Sequence, residues 1–170
     1  WSSVDWPDRM VATVFCQGCP WQCAYCHNQA ILDPRAPGTV PWSRVRGLLD
    51  RRRGLLDGVV FSGGEATRQL ALVEAAPGVD LEELKARLQA LVAEGLIDWV
   101  GFDLKAPAER YGEIVGRAGA YERMSASLEM LMDAGIALEV RMTVTPALAD
   151  AVDEVVADAC ARGVRCFALQ

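Results

Sequence analysis

Short runs of β-branched and aromatic residues alternate along this chain with stretches whose apolar positions recur at helical spacing. Such alternation is the mark of βα units feeding a parallel sheet. Met10–Phe15 reads as the first strand, and a cysteine-bearing loop follows its C-terminal end. Trp42, Val45, Leu48 and Leu49 form a helical stripe over residues 41–53, and Gly58–Ser62 is a second strand. Residues 67–76 carry a helical pattern that Pro77-Gly78 breaks. Asp80, with Glu83 three residues on, opens a helix over 80–94 whose apolar face is Leu81, Leu84, Leu88 and Leu91. A strand over 98–104 follows, then a turn or short helix at 107–117. Next come a helix over 121–134 with Met124, Leu128 and Leu131 inward, a strand over 136–144, a helix over 147–162 and a last strand over 164–169.

Composition narrows the class. At 170 residues, 52% hydrophobic and 24% charged, the chain has the size and make-up of one folded domain. We expect a single domain over 1–170. The start at Trp1 and the stop just after a strand-like run read as a segment of a longer protein. The formal charge of −6 is uneven: residues 1–53 carry 7 basic and 4 acidic side chains, and the remainder 10 and 19. The basic cluster, Arg44, Arg46 and Arg51 to Arg53, reads as a solvated helix end, with an acidic partner surface as the alternative; nothing else points to nucleic acid. No apolar run approaches the ~20 residues of a membrane span and no cleavable leader pattern is present, so a cytoplasmic location without membrane contact is expected.

The chemistry concentrates in Cys16-Gln-Gly-Cys-Pro-Trp-Gln-Cys-Ala-Tyr-Cys-His-Asn. Cys19, Cys23 and Cys26 have the spacing C-x3-C-x2-C and can converge on one metal centre with little chain to order. A [4Fe–4S] cluster takes four cysteines as a rule, so three would leave one iron open to a small molecule. With Cys16 the run also reads as C-x2-C-x3-C-x2-C, which suits a structural zinc site, and each C-x-x-C is compatible with a redox pair. Cys16 itself reads as a small buried residue at a strand end. Cys160 and Cys166 fall in helix and strand patterns and are expected in the core. His27 is the only histidine. With no second histidine, His-rich metal sites are removed, and a hydrogen bond near the metal centre is the expected use of His27.

Further motifs follow in order: Val59-Val-Phe-Ser-Gly-Gly-Glu65, Trp99-Val-Gly-Phe-Asp-Leu-Lys105 and Glu139-Val-Arg-Met-Thr-Val-Thr-Pro146. Gly63 and Gly64 would allow close backbone approach. Asp103 and Lys105, two apart on a strand, share a face. Each motif lies at the C-terminal end of an expected strand, where βα barrels build their sites.

Together these motifs resemble the radical S-adenosylmethionine (SAM) superfamily. Within it, Val4-Asp-Trp-Pro-Asp-Arg-Met and Gly18 to Asn28 resemble activating enzymes of glycyl-radical enzymes, above all the anaerobic ribonucleoside-triphosphate reductase activating proteins. The resemblance implies an α/β partial (βα) barrel of five to six parallel strands. It implies a [4Fe–4S] cluster on Cys19, Cys23 and Cys26, with S-adenosyl-L-methionine bound by Tyr25, Gly63, Gly64, Glu65, Asp103, Lys105 and Arg141. Tyr25 would stand where the loop meets adenine, Glu65 at the SAM ammonium, and Asp103 at the SAM carboxylate or a monovalent cation. It implies an oxidoreductase that cleaves SAM reductively to a 5′-deoxyadenosyl radical. That radical would install a glycyl radical on a partner such as anaerobic ribonucleotide reductase, with flavodoxin or ferredoxin as electron donor. Ala66 stands where proline is common in the family. The family's third strand, expected between Glu65 and Asp103, has no counterpart in the pattern. Two alternatives stay open: a radical SAM enzyme acting on a small molecule or peptide, and a non-catalytic zinc or iron–sulfur module.

Overall fold

The computed structural model of the chain describes residues 1–66 and 81–170. The helical pattern at 67–76, the Pro77-Gly78 break, the Asp80 cap and the place of the missing strand lie outside the described residues. The chain divides into two compact units, one formed by residues 1–20 and 27–79, the other by 21–26 and 80–170.

In the first unit β1 (Val11–Cys16) pairs in parallel with β2 (Gly58–Gly63), with Val11 opposite Gly58 and Cys16 opposite Gly63. Parallel strands need a crossover, and α1 (Trp42–Arg51) supplies it. The start of the pair is clamped by Asp57, whose carboxylate accepts from Met10 N–H at 2.8 Å while its own N–H donates to Met10 O at 2.9 Å. That side-chain bond holds Met10 outside the ladder, so β1 begins one residue later than the pattern predicts. Trp6 lies across Gly58, where a Cβ would stand 3.0 Å from its ring. The stripe on α1 is less buried than its spacing predicts: Trp42 is 42% and Leu48 37% exposed, and Trp42 meets Phe61 with ring centroids 6.2 Å apart. Arg53 pairs with Asp50 at 3.0 Å and Arg52 lies over the Trp1 ring, so part of the arginine run is used within this unit.

The second unit contains α2 (Leu81–Ala93), β3 (Trp99–Asp103), α3 (Ala108–Val115), α4 (Ala120–Asp133), β4 (Ala137–Met142), α5 (Val152–Ala161) and β5 (Phe167–Leu169). The strands form a parallel sheet in the order β3-β4-β5. Alternation sorts its faces. Val140 and Met142 point to a core shared with Leu104, Leu128 and Val155, while Glu139 and Arg141 point the other way with Asp103. Met124, Leu128 and Leu131 of α4 are buried, as the helical spacing predicts. Replacing Leu128, fully buried, by alanine should cost about 2–5 kcal/mol, read as a lowered denaturation midpoint.

Two elements are shorter than the pattern predicts, for visible reasons. The helix expected from residue 147 begins as a 3-10 turn, Ala149–Ala151, before α5. Arg110 donates to the Ala147 carbonyl and pairs with Asp150 at 3.1 Å, so Ala151 N–H turns to Leu148 O instead. At the other end Val164 N–H donates to Ala159 O, closing α5 and leaving the last strand to begin at Phe167.

Cys160 and Cys166 are exposed, which corrects their expected place in the core. The buried residues of α5 are Val155 and Ala159. Cys160, one residue and about 100° further round, leaves that stripe. Cys166 extends the register of β5 on the side of Glu139, not on the apolar side, and its thiol lies 3.7 Å from the Glu139 carboxylate.

Candidate metal and cofactor site

In the first unit the start of the cysteine loop is fastened to the end of β2. Gly64 N–H donates to Cys16 O at 3.0 Å, and Glu65 N–H to Gly18 O at 2.9 Å. Both glycines are needed for this approach. Gly63 has φ +93°, and a Cβ there would stand 2.8 Å from Cys16 N; a Cβ on Gly64 would collide with the Gly18 carbonyl oxygen. Across the loop Gly18 N–H donates to Ile31 O at 2.7 Å and Cys19 N–H to Leu32 O at 3.0 Å. The Gly-Gly-Glu motif thus holds the backbone from which Cys19 projects, and Glu65 is carried to the same place.

Cys16 is buried, and burial, followed by the nearby Glu65 carboxylate, pushes its thiol up to about 11. Cys16 lies buried at the end of β1 with its thiol toward the Val14 carbonyl at 3.9 Å, the packed position expected for it.

In the second unit the segment Trp21–Cys26 is strapped to the end of α3. Gln22 N–H donates to Val115 O at 2.9 Å and Ala24 N–H to Ile114 O at 3.4 Å. Gly116, in the left-handed conformation that ends α3, makes room: a Cβ there would stand 3.1 Å from the Gln22 Cβ. Cys23 and Tyr25 pack against the buried core to which Leu104 and Ala106 belong. Cys23 and Cys26 are partly buried and in no disulfide, and His27, in the first unit, is exposed.

Asp103 and Lys105 meet as their spacing predicts, Nζ to Oδ2 at 2.6 Å, with the lysine side chain only 18% exposed. Burial works against the ammonium, but Asp103 first and then Tyr25 and Cys23 hold its pKa above the usual lysine range. The lysine therefore stays charged. Tyr25 is pushed up to about 12 by burial, against the pull of Lys105, and its hydroxyl is buried with no hydrogen-bond partner among the described residues. Burial likewise raises the Cys23 thiol, which Lys105 opposes. Arg141 lies opposite Asp103 in the β3–β4 ladder. Its Nε donates to Glu139 Oε1 at 2.6 Å, and its guanidinium stacks over Trp99, 5.1 Å from the ring centroid. The bare face of Gly101 leaves space for it.

The expected residues thus gather in two groups: Cys19 with Gly63, Gly64 and Glu65, and Cys23, Cys26 and Tyr25 with Asp103 and Lys105. Among the described residues no three cysteine, histidine, aspartate or glutamate side chains form a cluster that could hold a metal. The donor chemistry nevertheless suits an iron–sulfur cluster: three soft thiol donors on one short loop, with the buried Tyr25 hydroxyl, unpartnered among the described residues, between two of them in the chain. Sequence reasoning missed Tyr111, whose hydroxyl lies 3.4 Å from Asp103 O, and the Gln22–Val115 strap. The glycine at 116, just past a helix, was the available signal for the strap. No described helix is long and apolar enough to cross a membrane.

The comparisons with known proteins agree with the resemblance drawn from the motifs. A curated relative from Methanocaldococcus jannaschii, named "Putative glycyl-radical enzyme activating enzyme", is 24% identical over 180 residues, covering 89% of this chain and 68% of its own. Among solved structures, one described as "Native anSMEcpe with bound AdoMet and Kp18Cys peptide" superposes with a TM-score of 0.66 at 13% identity. Another, "Native anSMEcpe with bound AdoMet", gives 0.63 at 14%. Each match covers 94% of this chain, and this chain spans about half the length of those proteins. The shared architecture bears out the α/β partial barrel. Residues 9–106, more than half of the chain, match the family described as "4Fe-4S single cluster domain". This chain belongs to the 4Fe-4S single cluster domain family.

Proposed function

We propose that this chain is the core of a radical SAM enzyme that activates a glycyl-radical partner. Cys19, Cys23 and Cys26 would hold the [4Fe–4S] cluster. A cluster held there would supply the single electron needed to split a sulfonium such as SAM reductively. The chain's own residues bind and orient. The observation that carries the reading is the pair of hydrogen bonds from Gly64 and Glu65 to the backbone of Cys16 and Gly18. They join the carboxylate motif to the cysteine loop, as a site for a cationic amine beside a metal requires. Gly63 and Gly64 would hold the cysteine loop close to the end of β2, and Glu65 would accept from the ligand's ammonium. Tyr25 would meet the adenine. Asp103, Lys105 and Arg141, which lie toward one face of the β3–β4 pair, would serve the carboxylate end.

A backbone glycine in a partner protein, such as anaerobic ribonucleotide reductase, is the substrate we favour. Two observations support a polypeptide over a small molecule: the named activity of the curated relative and the peptide held by the structural neighbour. An acidic one-electron carrier of the flavodoxin or ferredoxin type would supply the electron. Anaerobic mixing of the reduced, SAM-supplied protein with a candidate glycyl-radical enzyme should produce a glycyl radical signal by EPR in the partner. SAM cleavage with no radical on any such partner would move the reading to another substrate.

Glu65 offers a narrower test. Glu65→Gln keeps the size but removes the charge, and losing a hydrogen bond to a charged group should weaken SAM binding by roughly 1.5–3 kcal/mol. Iron content should stay at the wild-type level. Unchanged SAM affinity, measured by calorimetry, would reduce Glu65 to a turn residue.

A further inference from the structure

Within the second unit Asp103, Glu139 and Arg141 share the face of the β3–β4 pair that points away from the core. Asp103 and Arg141 are partners in the ladder, and strands so paired lie only about 4.8 Å apart. Opposite charges there would attract, yet the ion pairs run along the strands instead. Asp103 takes Lys105 at 2.6 Å, and Glu139 takes Arg141, Oε1 to Nε, at the same distance. The second pair is the more sheltered. Both of its side chains are 12% exposed, and Glu139 is the one charged residue among the described residues that is buried as a whole. The guanidinium is held in two further ways. It lies over the Trp99 ring, 5.1 Å from the centroid, and it crosses the bare face of Gly101, where a Cβ would stand 3.3 Å from its carbon. One carboxylate, one ring and one missing side chain thus set where this cation sits and how its plane is turned.

We propose that Glu139 is a positioning residue that holds Arg141 away from Asp103 and sets its guanidinium for the ligand's carboxylate. The inference rests on the reading above that Arg141 serves the carboxylate end of SAM. A guanidinium recognises a carboxylate through a planar fork, so the recognition depends on how that plane is turned. A cation already ordered by its neighbours loses less freedom when the ligand arrives. Without Glu139, the Asp103 carboxylate across the ladder would draw the guanidinium toward β3 and out of this orientation. Glu139 also carries a charge that by itself repels a carboxylate. Its two effects on binding therefore have opposite signs, and the proposal is that orientation outweighs repulsion.

The test is a calorimetric titration of the anaerobically reconstituted chain with SAM. Glu139→Ala should weaken SAM binding about tenfold, the scale of one hydrogen bond to a charged group. Glu139→Gln, whose amide oxygen can still accept from Arg141 Nε, should bind SAM as the wild type does. Glu139→Asp keeps the charge but draws the carboxylate back by one methylene, so it should weaken binding in the direction of alanine; it decides the matter if Glu139→Ala does not fold. In an Arg141→Met background Glu139→Ala should have no further effect, because it acts through Arg141. Unchanged or tighter binding in Glu139→Ala and Glu139→Asp would overturn the proposal, and so would losses that add in the double variant. Unchanged SAM affinity in Arg141→Met alone would instead overturn the assignment of Arg141 to SAM, and a wild-type chain that binds no SAM would overturn the functional reading itself.

Discussion

Cys23→Ala is expected to reduce the iron of the reconstituted protein from about four atoms per chain to almost none, the number being that of a [4Fe–4S] centre. Cys19→Ala and Cys26→Ala should do the same, because each missing thiolate opens a second iron to solvent. Cys16→Ala should behave differently. That side chain is buried at the end of β1, and its thiol faces the Val14 carbonyl at 3.9 Å. Its loss should cost packing only, about 1 kcal/mol, with iron content unchanged. Iron and sulfide assays on the four variants check this. If Cys16→Ala lost metal as fully as Cys23→Ala, the four-thiolate site would be the better account.

Gly64→Ala should have the second large effect. The added Cβ would meet the Gly18 carbonyl oxygen and stand 2.8 Å from its carbon. Both are backbone, so no side chain can swing aside and the loop itself must move. Such overpacking costs roughly 3 kcal/mol, and it would part the Glu65 N–H from Gly18 O. We expect a lowered denaturation midpoint together with loss of iron uptake. Gly38 provides the control: it is exposed, with nothing within 4 Å of a Cβ, so Gly38→Ala should change neither property. Normal iron uptake and stability in Gly64→Ala would show that the loop is not held through this contact.

The strand ends and the motifs attached to them were legible in the sequence. Short β-branched and aromatic runs give β1, β2 and β3 to within a residue or two, and Gly63-Gly64 already signals close approach. What the glycines approach was not legible, because the partner is the Cys16–Gly18 backbone some 45 residues away in sequence. Asp103 and Lys105 could be paired from strand periodicity alone. The Glu139–Arg141–Cys166 group could not, since its third member depends on the register of β5 against β4. The helix and strand patterns around Cys160 and Cys166 point to the core, yet helix phase and strand register put both outside. The strap from Gln22 to Val115 links a loop to a helix end through backbone atoms, which leave no side-chain pattern to read.

The central claim, that this chain uses a three-cysteine [4Fe–4S] cluster to cleave SAM, meets its most direct test in one assay. The protein is reconstituted anaerobically, reduced with dithionite and incubated with SAM, and the products are separated by chromatography. The account predicts stoichiometric or greater formation of 5′-deoxyadenosine that depends on reduction and is absent in Cys23→Ala. A chain that holds about four irons yet forms no 5′-deoxyadenosine under reduction, or that binds zinc in place of iron, would contradict it.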